Sequence, residues 1–142
     1  MITIKPYLKE YYQEVVNILK EADHFDKNWD SKDNLSSMVE KDKESVIVAL
    51  EENTITGVLY ITLIGNNLAC LYRLVVKKEY RRQGIATSLI KYAESLLKNK
   101  GIVEVGMYVN SINKELQTFY NERDFKASSN TSYIYMWKEL VK

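Results

Sequence analysis

The 142-residue chain has few of the residues that build covalent or metal-stabilised structures, with one cysteine, one histidine and one proline. Cys70 alone cannot form an intramolecular disulfide, and its apolar surroundings favour a buried, inert thiol. His24 is the only histidine, so no Cys/His cluster is available for zinc or iron. We therefore expect neither a disulfide scaffold nor a metal cofactor.

Strong net charge and long apolar runs are absent as well. The formal charge is +1 and the lysines are scattered, so the sequence has no basic stripe for nucleic acid. No run approaches the roughly 18 apolar residues of a membrane span. The first residues do not combine a basic segment with an apolar segment in the manner of a secretory signal. The sequence therefore predicts a cytoplasmic protein with neither nucleic acid nor membrane as a partner.

The spacing of apolar residues predicts one α/β domain over residues 1–142, without repeats or linkers. Alternating or β-branched runs predict strands, and apolar positions three and four residues apart predict helices. The predicted strands cover residues 1–6, 45–50, 54–64, 68–76, 102–109 and 133–140, with a further short segment near residue 125. The predicted helices cover residues 8–22, 35–39, 84–98 and 111–122. The element order is β-α-α-β-β-β-α-β-α-β-β, which predicts a mixed, mostly antiparallel sheet of six to seven strands flanked by about four helices.

The segment Arg-Arg-Gln-Gly-Ile-Ala-Thr, residues 81–87, follows a predicted strand and begins a predicted helix. We call it the basic turn. The first amides of a helix lack intrahelical partners and carry partial positive charge, so they attract anions. Gly84 and Ala86 keep the approach to those amides open. The turn matches neither the G-x-x-x-x-G-K-[ST] nor the G-x-G-x-x-G nucleotide motif. An ordinary helix start is the alternative.

Asn113 and Tyr120 lie seven residues apart in the last predicted helix. Seven residues are two helical turns, so both side chains belong to one face, about 10 Å apart along the axis. Capping of the helix is the alternative role for Asn113, and core packing is the alternative for Tyr120.

Together these segments resemble the GNAT superfamily of acetyl-CoA-dependent N-acetyltransferases, in a small, single-domain, bacterial-type form. The family pattern Arg/Gln-x-x-Gly-x-Gly/Ala is matched by Arg81, Gly84 and Ala86. The later pattern, Asn with Tyr seven residues on and then Gly-Phe, is matched except that Asp124 replaces the glycine. The resemblance implies the GNAT fold and transfer of an acetyl group from acetyl-CoA to an amine.

The resemblance also implies roles for individual residues. Amides of the basic turn would hold the coenzyme A pyrophosphate, the end of the preceding strand would pair with the pantetheine arm, and Asn113 would contact that arm. Tyr120 would be the catalytic residue, donating a proton or hydrogen bond to the thiolate leaving group. The residues implied for acetyl-CoA are Leu74, Val75, Val76, Arg81, Arg82, Gln83, Gly84, Ile85, Ala86, Thr87, Asn113 and Tyr120.

No residue is identified as the general base. The family often has a glutamate on the strand before the basic turn, but residues 68–76 contain no carboxylate. A water relay or a carboxylate from another element is then expected. The candidates, each with a solvated surface role as its alternative, are Glu51, Glu52, Glu104, Asp26, Asp30 and His24.

The loop at residues 22–33 corresponds to a loop that faces the acceptor in the family. Phe25, Trp29 and Asp30 are candidates for binding an amine-bearing small molecule or peptide through charge and cation–π contacts. Their alternative is a polar loop anchored to the core by its aromatic residues. The last strand is expected either inside the sheet or at an edge that pairs with a second subunit in a homodimer.

The leading functional hypothesis is an N-acetyltransferase in which a primary amine attacks acetyl-CoA directly within a ternary complex. The alternative from another class is a non-catalytic acyl-CoA sensor or partner-binding module on the same fold. A third, toxin-like tRNA acetylation, fits a net charge of +1 less well.

Overall fold

The computed structural model describes residues 1–128 and 133–140. The strands are β1 (Ile2–Pro6), β2 (Val46–Glu51), β3 (Thr54–Ile64), β4 (Leu68–Val76), β5 (Glu104–Asn110), β6 (Lys126–Ala127) and β7 (Tyr133–Glu139). The helices are α1 (Tyr12–Glu21), α2 (Lys32–Lys41), α3 (Ile85–Asn99) and α4 (Lys114–Asn121). Short 3₁₀ turns occupy Lys9–Tyr11 and Lys78–Tyr80. The predicted element order is confirmed.

The seven strands form one sheet in the order β1-β2-β3-β4-β5-β7-β6. β4 and β5 are parallel, with Leu68 opposite Glu104 and Cys70 opposite Gly106. The parallel pairing follows from the crossover through α3, because a short hairpin can join only antiparallel strands. β1–β2, β2–β3, β5–β7 and β6–β7 are antiparallel. The prediction of a mixed, mostly antiparallel sheet is confirmed.

The chain forms two compact units, of which the first comprises Met1–Ile61 and Arg73–Ala93. Its central strand β2 is buried on both faces, with Val46, Ile47, Val48 and Ala49 fully inaccessible. Such a continuous apolar run is typical of a strand covered on both sides. Gly57 in β3 leaves room for α3, since a Cβ there would lie 3.1 Å from a methyl group of Leu89.

The second unit comprises Thr62–Tyr72 and Glu94–Lys142. β5 buries Val105, Met107 and Val109, whereas Tyr108 between them is 68% exposed. Because alternate side chains of a strand point to opposite faces, one face of β5 is packed and the other is more open. On the open face Tyr135 lies across Gly106, where any side chain would collide with its ring.

One expectation from the sequence needs correction, and one that was left open is decided by the sheet order. α4 begins at Lys114 and not near residue 111, because Asn113 is its N-cap and accepts a hydrogen bond from Leu116 N at 3.0 Å. β7 lies between β5 and β6, so β6 is the edge strand at that side of the sheet. A dimer through an unpaired edge of β7 is therefore not supported.

Candidate functional site

The basic turn has two left-handed residues, Arg82 with φ 64° and Gly84 with φ 80°. The chain then enters α3, and Ser88 N donates to Gly84 O at 3.0 Å, which closes the first helical turn. The amides of Ile85 and Ala86 precede that bond, so the helix supplies no carbonyl for them. Their partial positive charge is directed away from the helix, which makes this end suitable for an anion.

Contacts on the N-terminal side hold the basic turn in place. Arg81 Nε donates to Val76 O at 3.0 Å, joining the turn to the end of β4. Lys77 N donates to Thr56 O at 2.7 Å, and Lys78 N donates to a carboxylate oxygen of Glu21 at 2.8 Å. One hydrogen bond thus ties the first residue of the basic turn to β4, and two others tie the preceding residues Lys77 and Lys78 to β3 and α1.

The surface above the basic turn is open. Arg81, Arg82, Gln83 and Gly84 are all exposed, and a Cβ added at Gly84 would meet no atom within 4 Å. Ile85 is buried in the core, while Ala86 and Thr87 are half-buried. The absence of a side chain at position 84 therefore leaves space outside the protein, where a ligand would approach.

The end of β4 combines core packing with accessible backbone. Val75 is 6% exposed, whereas Leu74 and Val76 are half-buried. Arg73, which immediately precedes Leu74 in the same strand, has a left-handed backbone with φ 53°. A non-glycine residue in this region inside a strand marks a local irregularity of the β-bulge kind.

Arg73 pairs with a buried carboxylate that the sequence did not predict. Arg73 Nε lies 3.3 Å from both oxygens of Asp30, whose side chain is 0% exposed. Tyr60 Oη donates to Asp30 Oδ1 at 2.7 Å, and Asp26 N donates to Oδ2 at 2.8 Å. We call Asp30, Arg73 and Tyr60 the Asp30 cluster. A lone arginine in the apolar run of β4 was the available sign that a buried partner existed.

The loop at residues 22–33 differs in part from its expected role of contacting the acceptor. Asp30 is buried, so the expectation that it faces an acceptor directly is corrected. Trp29 is 61% exposed, and Phe25 is half-buried beneath Lys20, whose Nζ lies 5.0 Å from the ring centroid. Asp26 accepts hydrogen bonds from the amides of Asn28 and Trp29, and these lower its pKa, making it a weak base. His24 is exposed.

In the second unit, Asn113 and Tyr120 lie at the two ends of α4. Asn113 is exposed and caps the helix, so the capping alternative holds whatever else this residue does. Tyr120 is 5% exposed, and its ring makes edge contacts with Phe119 and Phe125. Burial raises the pKa of Tyr120 to about 12, although the charge of Arg123 acts in the opposite direction. Tyr120 therefore keeps its proton at any physiological pH.

The turn after α4 shows how the chain accommodates Asp124 in place of the family's glycine. Asp124 has φ 71°, and the amides of Phe125 and Asp124 donate to the carbonyls of Tyr120 and Asn121 at 3.1 Å. This pair of bonds is a Schellman motif, which ends a helix with a left-handed residue. The turn therefore retains the geometry expected of glycine and fixes the last turn of α4 around Tyr120.

A surface cleft of about 560 Å³ lies along α4 in the second unit. It is lined by Asn113, Glu115, Leu116, Thr118, Phe119 and Glu122. The guanidinium of Arg123 stacks on Phe119, 3.6 Å from the ring centroid, and its Nη1 donates to Phe119 O at 2.7 Å. The cleft thus combines an aromatic side chain with an exposed amide, and the aromatic ring is stacked against the neighbouring Arg123.

The other candidate bases are already engaged or lie in turns. Glu104 Oε2 accepts a hydrogen bond from Tyr135 Oη at 2.8 Å, and a carboxylate oxygen of Glu51 lies 2.6 Å from the N-terminal ammonium. Glu52 is exposed in the turn between β2 and β3. Burial and the charge of Glu104 raise the pKa of Cys70, which disfavours a reactive thiolate. No carboxylate is identified as the base.

Two features typical of other classes of protein are absent from the described residues. Residues 1–128 and 133–140 contain no group of three or more His, Cys, Asp or Glu side chains arranged to hold a metal ion. Within the same ranges, no helix combines the length and apolar character that crossing a membrane requires.

Comparison with known sequences identifies the family to which the chain is similar. Residues 7–134 match the family model described as an acetyltransferase (GNAT) domain. The chain is 35% identical over 79 residues to spermidine N(1)-acetyltransferase of Thermoplasma acidophilum, a match covering 56% of this chain and only 48% of that protein. It is 26% identical over 134 residues to N-alpha-acetyltransferase 30 of Schizosaccharomyces pombe, covering 88% and 84% of the two chains.

Solved structures agree over nearly the whole chain. PaiA N-acetyltransferase of Thermoplasma acidophilum, in complex with coenzyme A, superposes with a TM-score of 0.85 at 25% identity and covers 98% of this chain and 99% of its own. Ard1 of Thermoplasma volcanium has a TM-score of 0.86 at 18% identity, with 99% of each chain covered, and so shows the shared fold. The family match extends over most of the sequence, and the chain therefore belongs to the GNAT family of acetyltransferases, a family of acyltransferase enzymes.

Proposed function

We propose that residues 1–142 act as one acetyltransferase domain that transfers the acetyl group of acetyl-CoA to a primary amine. The single observation that carries this proposal is the open, left-handed basic turn at the start of α3, in a chain that matches the GNAT family model. The coenzyme A bound to PaiA supports the same donor, because that structure resembles this chain over nearly its full length. A cytoplasmic location belongs to this proposal.

In the proposed complex, the basic turn binds the pyrophosphate of acetyl-CoA. The amides of residues 82–87 donate hydrogen bonds to the phosphate oxygens, and the positive charges of Arg81 and Arg82 attract the phosphate groups. Arg81 already donates through Nε to Val76 O. Its terminal nitrogens, together with the exposed guanidinium of Arg82, are the groups proposed to contact phosphate.

The pantetheine arm is proposed to pair with the backbone of Leu74, Val75 and Val76. Its two amide groups require backbone donors and acceptors, as an added strand would. Asn113 is proposed as a further contact. Because Oδ1 of Asn113 accepts the hydrogen bond from Leu116 N, its Nδ2 remains the group for a carbonyl of the arm.

The chemical step is proposed to be direct attack of a neutral amine on the thioester. Near pH 7 an alkylamine with pKa about 10.4 is neutral in only about one molecule in two thousand, so its proton must be removed. With no carboxylate in β4, we propose that water carries this proton away from the site. A backbone amide near Val76 is proposed to stabilise the tetrahedral oxyanion, and binding both reactants together supplies proximity.

Tyr120 is proposed to donate a hydrogen bond to the sulfur as the C–S bond breaks. With the pKa of Tyr120 at about 12 and that of a thiol near 8.5, complete proton transfer would be uphill by about 5 kcal/mol. Stabilisation of the developing thiolate by a hydrogen bond avoids that cost. The thiolate then takes its proton from solvent.

The acceptor is proposed to be a small molecule or a peptide bearing a primary amine. The relatives include a spermidine N(1)-acetyltransferase and N-alpha-acetyltransferase 30, whose names indicate a polyamine and an alpha-amino group, respectively, as acceptors. Trp29 and Phe25 are proposed to contact the acceptor, since the tryptophan ring is exposed for cation–π contact.

The test is release of free coenzyme A thiol from acetyl-CoA in the presence of a panel of amines. The panel contains polyamines, aminoglycosides, and peptides with free N-termini or lysine side chains. Amine-dependent release above the hydrolysis rate is expected for at least one class. Tight binding of acetyl-CoA in calorimetry with no amine-dependent release would instead support the acyl-CoA sensor.

A further inference from the structure

Arg73 adopts a backbone conformation that strands rarely contain. Its φ of 53° places a non-glycine residue in the left-handed region within β4. For a residue with a side chain this conformation is energetically unfavourable. Such a cost persists only where surrounding contacts enforce it, and strained residues of this kind concentrate near functional segments.

Within the Asp30 cluster, the carboxylate of Asp30 holds Arg73, and other groups hold the carboxylate. Arg73 Nε approaches both oxygens of Asp30 at 3.3 Å, and the carboxylate is completely buried. Tyr60 Oη and Asp26 N each donate to a different oxygen, at 2.7 and 2.8 Å. Tyr12 Oη donates to Asp30 O at 2.9 Å, which fixes the backbone of the same residue. The carboxylate is therefore oriented from several sides, and Arg73 is its charge partner.

Stability alone is a poor explanation for this arrangement. Removing a carboxylate from water is expensive, and a buried ion pair is often no more stable than a packed apolar pair of the same size. The described contacts do accomplish something that an apolar pair would not. They fix the side chain of the one left-handed residue of β4, immediately before Leu74–Val76, the segment proposed to pair with pantetheine.

We propose that Asp30 is a positioning residue: by holding Arg73, it keeps β4 in the bulged conformation that directs the peptide groups of residues 74–76 toward acetyl-CoA. This inference rests on the proposed function for the identity of the ligand. Asp30 also follows the exposed Trp29 in the loop proposed to contact the acceptor. The cluster thus joins the acceptor-facing loop to the strand that binds the donor.

The test compares two double variants, Asp30→Asn with Arg73→Gly and Asp30→Asn with Arg73→Ala. Both remove the ion pair without leaving an unpaired buried charge. They differ in whether residue 73 tolerates a left-handed backbone, because glycine adopts positive φ freely and alanine does not. The glycine variant is expected to bind acetyl-CoA within about threefold of wild type, and the alanine variant at least about tenfold more weakly. The same difference is expected in kcat.

Amide hydrogen exchange across residues 74–76, measured without ligand, gives a readout that does not depend on activity. Exchange is expected to be at least about tenfold faster in the alanine variant than in the glycine variant. Equal exchange and equal acetyl-CoA affinity in the two variants would overturn the inference. Failure of the proposed function is distinguishable, because it would appear in the wild-type protein as absence of thiol release.

Tyr60→Phe provides a milder probe if the alanine variant fails to fold. It removes one hydrogen bond to Asp30 Oδ1 and keeps the ring in the core. A rise of a few fold in the KM for acetyl-CoA, with faster exchange at residues 74–76, is expected. An effect confined to the melting temperature would show that the cluster only stabilises the fold and would overturn the inference.

Discussion

At the residue scale, Tyr120 carries the clearest prediction for catalysis. Tyr120→Phe removes the hydroxyl and retains the ring contacts with Phe119 and Phe125. We expect kcat to fall by about 10²-fold, within the usual range for loss of a positioned proton or hydrogen-bond donor, with little change in the KM for acetyl-CoA. Steady-state kinetics with melting curves as control would check this. Unaltered turnover in the folded variant would remove Tyr120 from the mechanism.

The pKa of Tyr120 makes a separate prediction about pH. Because burial raises this pKa to about 12, the protonated donor is retained as pH rises and is lost only near pH 12. The profile of kcat between pH 6 and pH 10 should therefore contain no falling limb due to Tyr120. A titration below pH 10 that is present in wild type and missing in Tyr120→Phe would show that this assignment is wrong.

Replacement of Asp124 by glycine is predicted to stabilise the fold. Its φ of 71° favours glycine, so Asp124→Gly should raise the free energy of unfolding by about 1 kcal/mol and the melting temperature by a few degrees. Glu122→Gly is the matched control, since Glu122 has a right-handed backbone with φ −68° and should lose stability. A loss in both variants would contradict the left-handed conformation at residue 124.

Individual residues also show which features of the candidate site could be predicted from the sequence and which could not. The spacing of Asn113 and Tyr120 was sufficient to associate both with one helix, because helical periodicity is local, but it did not show that Asn113 is the N-cap and not a helical residue. The burial of Asp30 was not predictable, since its partners Tyr60 and Arg73 lie 30 and 43 residues away. From the sequence alone, a carboxylate in a polar loop is expected to be solvated, because its tertiary contacts are not known.

At the element scale, the basic turn can be tested by one substitution and a matched control. Gly84→Val should place a branched side chain in the open space above the turn and abolish acetyl-CoA binding in calorimetry, while the protein remains folded. Gly65→Val is the matched control, because Gly65 also has a left-handed backbone, with φ 64°, and a Cβ added there would meet no atom within 4 Å. Gly65 lies in the turn between β3 and β4, outside the basic turn. Similar destabilisation is expected for both variants. Equal affinity for acetyl-CoA in both would refute the phosphate site.

The loop between α1 and α2 carries a prediction about the acceptor. Trp29→Ala removes an exposed ring and should raise the KM for the amine several fold, with acetyl-CoA affinity unchanged. Asn28 is exposed in the same loop and has no proposed contact with the acceptor, so Asn28→Ala serves as the control. Equal loss of affinity for both substrates in Trp29→Ala would exclude a specific acceptor contact.

Element boundaries were predicted well where the signal was local. β3 and β4 occupy the predicted residues, because polar turns separate their apolar runs. α4 was predicted to begin too early, since residues 110–113 form a turn in which Asn110 Oδ1 accepts from Ile112 N at 3.1 Å. β6 has only two residues, too few to produce a periodic pattern.

At the scale of the whole molecule, the order of elements was predictable because the helices and every strand except β6 are long enough to carry a hydrophobic pattern. The position of β7 between β5 and β6 was left open, since pairing depends on contacts distant in sequence. The family resemblance, confirmed by the match over residues 7–134, explains why the donor is better defined than the acceptor. The basic turn is a compact motif, whereas the loop proposed to contact the acceptor contains no motif of comparable specificity.

The most direct test of the proposed activity is identification of the acetylated amine by mass spectrometry, with free thiol quantified in the same reaction. Wild-type protein should form one acetylated amine for each coenzyme A thiol released, and Gly84→Val should form neither above background. Acetyl-CoA that binds wild-type protein but yields no acetylated product with any amine of the panel would contradict the proposal.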